Sequence, residues 1–214
     1  MARLKIALAP GDGIGPEIMD ATLAALEDGD NDIPMALRHA LAGLLDQIAA
    51  CQEAMAAIEK QLADIAKLDT RCQRLMAASG VGLITATALS AGIGDFARFP
   101  SGRHFASALG LTPREYSSGG TRKLGRITKQ GDVFLRTLLI HGARSALIVA
   151  ATARKRGQPL DRTQQWALAL AERKGHNKAA VALANKVARR LWASEHHGTS
   201  FDPEHISRRE PRAA

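Results

Sequence analysis

Residues 109–136 read LGLTPREYSSGGTRKLGRITKQGDVFLR and hold this chain's densest chemistry. Ser117 and Ser118 stand directly before Gly119 and Gly120. Arg122, Lys123, Arg126 and Lys129 follow with no acid among them, and Arg136 lies on the apolar helix opened by Gly131-Asp132. A serine hydroxyl is a weak nucleophile until its proton is taken or its charge is stabilised. Guanidinium and ammonium groups stabilise charge on an attacked phosphate. Glycine beside the hydroxyl lets a bulky phosphate come close. The block therefore points to gripping, and attacking, a phosphodiester. His104 and His141 are the histidines of this region that could serve as a base. The plainer reading of Ser-Ser-Gly-Gly is a flexible loop.

The surrounding charge agrees. The 214 residues carry a formal net charge of +8. Residues 96–171 contain thirteen basic residues against Glu115, Asp132 and Asp161 alone. Positive charge concentrated in one segment implies a polyanionic partner, though solubility alone would also use it. Two cysteines, Cys51 and Cys72, are too few for a disulfide framework, and no metal-ligand spacing surrounds them. No apolar run approaches 18 residues and no signal peptide is seen, so the expectation is a cytoplasmic chain with no membrane span.

The elements that must hold this block read as helices. Leu37, Leu41, Leu44, Ile48, Cys51, Met55, Ile58, Leu62 and Ile65 recur at alternating steps of four and three. That is a heptad seam. It predicts a coiled-coil arm over residues 35–69, roughly 50 Å long. A helix of that length wants a partner. A second copy of the chain is favoured over another helix of the same chain, and Cys51 reads as a small core residue on the seam. Ser79-Gly80-Val81-Gly82 then separates two short helices. Such a turn exposes backbone N–H groups to phosphate. It resembles a helix-hairpin-helix module, with Gly80 and Gly82 as DNA-contact candidates, or else a tight helix connection. Ser101, Asp132 and Asp161 are expected as N-caps. The last two helices span about 161–173 and 179–194, joined by a turn at 174–178, with Trp166 as a core anchor. Lys178, Lys186, Arg189 and Arg190 read as phosphate contacts or as a solvated face. Residues 198–214 read as a disordered tail.

Residues 4–27, with the run KIALAPGDGIGPEIMDATLAALE, have a different grammar of strand, glycine turn and helix. They resemble the opening of the isocitrate and isopropylmalate dehydrogenases. Residues 1–27 are therefore read as a vestigial βα leader, joined by a linker at 28–34.

The run FASALGLTPREYSSGGTRKLGRITKQGDVFLRTLLIHGARSAL, continuing through Trp166 and through Arg173 to Arg189, resembles the C-terminal domain of insertion-sequence transposases of the IS110/IS116/IS902 group, relatives of the pilin-inversion recombinase. The likeness covers about residues 35–197. It implies DNA strand exchange through a phosphoserine link, with Ser118 as nucleophile and Ser117 as second choice. It also implies magnesium held by acidic residues of an N-terminal RNase-H-like domain, and a structured guide RNA. Asp12, Glu17 and Asp20 do not have the arrangement of such a site. The expectation is thus a mainly α protein: a coiled-coil arm, a helical DNA-binding domain at 70–197 and a short leader. Its expected function is that of a truncated serine-type transposase, inactive alone and with no cofactor of its own. A non-catalytic binder of DNA or structured RNA is the alternative, and a dehydrogenase fragment a third.

Overall fold

The computed structural model describes residues 34–199 and 201–202. The leader, most of the linker and most of the tail lie outside these residues. The fold is mainly helical. Helix α1 spans Met35–Leu68, α2 Thr70–Met76 and α3 Leu83–Ile93. A 3₁₀ turn at Phe96–Arg98 leads to α4, Gly102–Ala108. Strands β1 (Pro113–Glu115) and β2 (Leu124–Ile127) pair antiparallel. Helices α5 (Val133–Lys155), α6 (Arg162–Lys174) and α7 (His176–His197) complete the described residues.

The chain divides into two units, one through Ile58 and one from Glu59. In the first, α1 carries its seam largely in the open. Leu37, Leu44, Met55 and Ile58 are half exposed or more, with Met55 at 61%. Cys51 is exposed as well, not the core residue that its seam position suggested.

In the second unit α7 is the hub, packing against α5, α4, α6 and α2. Its inner face is Ala179, Ala180, Leu183, Ala184, Val187, Ala188, Leu191 and Trp192, all buried. The spacing is that of one helix face, and alanines on it let neighbouring backbones approach closely. Trp192 is the aromatic anchor. Its indole N–H donates to the Phe96 and Phe99 carbonyls at 3.1 and 3.0 Å. Phe96 packs tilted and Phe99 edge-on against Phe105, each at 5.2 Å between ring centroids. Trp166, expected in this role, lies 36% exposed on α6.

The end of α7 also departs from expectation. The helix starts at His176, directly after Gly175, and runs to His197 rather than stopping near 194. Glu195 explains the extension. Its carboxylate is 4% exposed and accepts from Arg74 Nη2 at 2.9 Å and Nε at 3.0 Å. This two-pronged pair ties α2 to the last turn of α7. A fork-on-fork geometry is what makes an Arg–carboxylate pair specific.

The turn before α3 is built for packing. Gly80 has φ +84, and a Cβ there would lie 2.6 Å from the Gly142 carbonyl oxygen. A Cβ at Gly142 would lie 1.8 Å from the Gly80 carbonyl oxygen. Two glycines thus allow backbone-on-backbone contact between this turn and α5. Helix α5 has an 18-residue window of mean hydropathy 1.5, although charged residues such as Arg136 and Arg144 break its apolar runs. By length and composition it meets the test for a membrane span. Its face of Leu135, Leu139, Ala143, Leu147 and Ala150 is buried in the core, against α3, α6 and α7.

Caps follow local chemistry. Ser101, Asp132 and Asp161 each accept a backbone N–H at the first turn of α4, α5 and α6. Asp69 caps α2 and also accepts from Ser90 Oγ at 2.7 Å and Cys72 Sγ at 3.1 Å. Those hydrogen bonds, Ser90 first, hold its carboxyl at about 2, below its ordinary 3.8.

Two outcomes follow. Gly142→Ala forces a methyl into the Gly80 carbonyl and destabilises the domain by roughly 3 kcal/mol, measured by urea unfolding. The Asp69 carboxyl binds protons more tightly in the unfolded chain than in the fold. Its stabilisation is therefore complete above the ordinary value and fades as pH falls from 3.8 towards 2. Asp69→Asn keeps a capping side chain but offers Ser90 and Cys72 an uncharged acceptor, and should be less stable than the parent by about 1 kcal/mol near neutrality. The gap should close on acidification, read from urea midpoints across the pH series.

Candidate nucleic-acid interface

The serine block folds as a β-hairpin, not as a loose loop. Gly119 and Gly120 have φ of +57 and +77. Positive φ at both central residues is the two-residue turn whose twist matches antiparallel strands. Ser118 and Thr121 close it, with Ser118 N to Thr121 O at 3.3 Å and the reverse bond at 3.0 Å. Below them Glu115 faces Leu124 and Pro113 faces Ile127, with an irregularity between.

The hairpin's base is clamped to the end of α4. Lys129 takes φ +56 and its N–H donates to the Gly110 carbonyl at 3.1 Å. A Cβ at Gly110 would lie 2.3 Å from the Gln130 carbonyl, and one at Gly131 would lie 1.8 Å from that of Ala108. Asn185 on α7 donates to the Leu111 carbonyl at 3.0 Å. Arg136 completes the clamp. It is 7% exposed, and its Nη1 donates to the carbonyls of Leu109 at 3.2 Å and Asp132 at 3.4 Å. A cation at the carbonyl end of α4 matches the helix dipole. The guanidinium is buried in this brace rather than presented with the exposed cations.

The two serines differ. Ser117 Oγ donates to Glu115 Oε1 at 2.6 Å and accepts from the Lys123 N–H at 3.2 Å. Ser118 has only backbone hydrogen bonds among the described residues. Beside its turn, a Cβ on either glycine would meet nothing within 4 Å. Arg122, Lys123, Arg126 and Lys129 are exposed on the same hairpin and its base. Arg122 reaches Glu115 at 3.7 Å across open solvent, a pair of little energetic weight. His104 is bonded to Ser101 Oγ at 2.8 Å, and His141 is exposed on α5. No hydrogen bond links either ring to Ser118 among the described residues. Gly80 is turned into its packing contact, while Gly82 is the exposed N-cap of α3. The turn and the serine hairpin lie on separate elements.

A second feature adjoins the hairpin's base. A groove of about 1090 Å³ is lined by Pro113 and Ile127 of the hairpin, by Arg103 of α4, by Arg162 and Trp166 of α6, and by Lys178, Lys186, Arg189 and Arg190 of α7. Six of its lining residues are cations and none is an acid. The Lys186 ammonium sits 4.3 Å from the Trp166 ring centroid. Burial lowers the pKa of Lys186, and the neighbouring Arg190 and Arg162 lower it further. Arg189 is lowered by burial and by Arg103. Positive charges are thus pressed together here against their own repulsion. Lys178, Lys186 and Arg189, eight and three apart, could be read from sequence as one helix face. Arg103 and Arg162 come from other helices and leave no spacing to find.

Comparison with known proteins agrees on one group. Residues 72–158 match the transposase IS116/IS110/IS902 family. A "Probable family 20 transposase" of Pseudomonas aeruginosa is 41% identical over 187 residues, 86% of this chain and 54% of that protein. The transposase for insertion sequence element IS1111A of Coxiella burnetii is 43% identical over 141 residues, 66% of this chain and 37% of its own. The transposase for insertion sequence element IS1328 of Yersinia enterocolitica is 34% identical over 172 residues, 80% and 50% respectively. The chain spans about half or less of the length of these relatives. On these matches, the chain belongs to the IS116/IS110/IS902 family of transposases.

Proposed function

We propose that the chain is the DNA-gripping, serine-bearing part of a transposase, with Ser118 as the nucleophile. The observation that carries the reading is the hairpin tip, where an unencumbered serine hydroxyl stands beside two glycines and among exposed cations. Ser118 Oγ would form a bond to a DNA phosphorus. The bridging oxygen would leave as the hydroxyl of the other strand end, taking a proton, and rejoining would reverse these steps. Arg122, Lys123 and Arg126 would stabilise the charge that builds on the attacked phosphate. Ser117 is the poorer candidate because its hydroxyl already donates to Glu115.

Two partners belong to the reading. The exposed seam of α1 suits a second copy of the chain, and a structured guide RNA would add to the polyanion held. Among the described residues no three His, Cys, Asp or Glu side chains are grouped to hold a metal ion. Magnesium therefore has no fitting ligand set there. The chain alone is expected to bind DNA without exchanging strands.

The test mixes the chain with a full-length relative whose matching serine is alanine, and with DNA carrying the element's ends. A covalent protein–DNA adduct on this chain is expected, lost in Ser118→Ala and kept in Ser117→Ala. Absence of an adduct while DNA is still bound would favour a non-catalytic binder. DNA affinity should fall steeply with salt, and salt-insensitive binding would defeat both readings.

A further inference from the structure

The groove beside the hairpin has a chemistry that phosphodiester attack at Ser118 does not use. Among the described residues no ion pair engages Arg103, Lys178, Lys186 or Arg189 with a carboxylate. Arg103 and Arg189 are brought together by a close crossing. A Cβ at Gly102 would lie 2.8 Å from the Arg189 carbonyl oxygen and 3.1 Å from its Cα. Arg103 is the next residue along, so the two cations are neighbours by backbone geometry. Leu111, Val181, Ala182 and the Trp166 ring give the groove an apolar side. Both indoles border the groove, and Trp166 is the more accessible, at 36% exposed against 9% for Trp192.

We propose that this groove binds a single-stranded stretch of nucleic acid, with phosphates against Arg103, Lys178 and Arg189 and a base stacked on Trp166. Cations that track a backbone, set beside an aromatic ring that takes any base, are the two parts of a single-strand site. A duplex keeps its bases stacked on one another and would leave the indole and the apolar side unused. An acidic peptide would satisfy the cations but offers no planar group for Trp166. At about 1090 Å³ the groove exceeds an ordinary small-molecule site and suits a few nucleotides. The Lys186 ammonium lies over the indole. An arriving phosphate would draw that ammonium away and let a base take its place over the ring. This site is separate from the Ser118 chemistry, since neither serine lines it.

Indole fluorescence of the whole chain reads the proposal directly. Oligo-dT and oligo-rU of roughly twelve nucleotides serve as probes, a length within known single-strand sites. A duplex of equal length and poly-glutamate serve as comparisons. Saturable quenching by either single strand is expected, and most of it should be lost in Trp166→Phe, since Trp192 also borders the groove but is only 9% exposed. Quenching by rU alone, dT alone or both supports the proposal and identifies the sugar tolerated. Arg103→Glu and Lys178→Glu, both at exposed positions, should each weaken single-strand binding about tenfold. Lys155→Glu, at an exposed position outside the groove, should leave it unchanged. Helicity of each variant, followed by circular dichroism, guards against a folding defect. Binding without quenching, equal quenching by duplex or poly-glutamate, or unchanged affinity in both glutamate variants would overturn the proposal. The same titration on Ser118→Ala keeps this outcome apart from that of the adduct assay.

Discussion

Backbone-to-backbone approach at residues with little or no side chain is the constraint on which this domain rests. Gly80 meets Gly142, Gly102 meets Arg189, and Gly110 and Gly131 meet Gln130 and Ala108. Ala179, Ala180, Ala184 and Ala188 line the hub helix with no measurable exposure. With so few aromatic residues, the domain cannot fill wide gaps between helices with large rings. It closes the gaps instead. Close packing restores the dispersion contacts that small side chains forgo at longer range. The cost is intolerance, because one added methyl at these crossings has nowhere to go.

The same crossings arrange the charge. Gly102 against α7 makes neighbours of Arg103 and Arg189, and packing of α6 on α7 brings Arg162 towards Lys186 and Arg190. Such a set opposes folding through its own repulsion, which a bound polyanion would relieve. Acids are not lacking in the chain, yet they are used elsewhere. Asp69, Asp132 and Asp161 cap helices, and Glu195 is buried with Arg74. Six cations and no acid among the residues that line the groove fit a binding site better than a face tuned for solubility.

What could be read from sequence was what is decided locally. The long helix, Met35–Leu68, takes in the whole heptad seam from Leu37 to Ile65, and three caps sit where serine or aspartate precedes a helical run. The serine block was visible because its chemistry is contiguous. Its hairpin was not, because Ser-Ser-Gly-Gly suggests mobility unless the paired positive φ of Gly119 and Gly120 is weighed as a turn signal. Trp166 and Trp192 looked alike along the chain; only the register of the alanine face of α7 decides that Trp192 is inside. Arg136 sat in a basic run, and nothing local distinguishes a guanidinium bound for carbonyl oxygens from one bound for solvent. Glu195 needed Arg74, 121 residues away, to become a buried group. The groove needed four separate elements, so no linear motif announces it.

A rigid hairpin also narrows what its serine can do. Its turn is fixed by two glycines and its base by the Gly110–Gly131 crossing, the Asn185 bond and the Arg136 brace. Rigidity at the base would hold the proposed nucleophile in a set orientation, which favours attack by lowering the entropy lost in reaching it. Exposure at the tip works the other way, because hydration of the hydroxyl and nearby cations weakens the field on which charge stabilisation depends. Among the described residues nothing covers that tip. On the proposed chemistry, a serine poised in this manner would become effective once a bound phosphate backbone, and whatever surface accompanies it, displaces water from the hairpin. The substrate would then complete the low-dielectric environment that its own cleavage requires, and the hydroxyl would stay inert towards other phosphates until that contact is made.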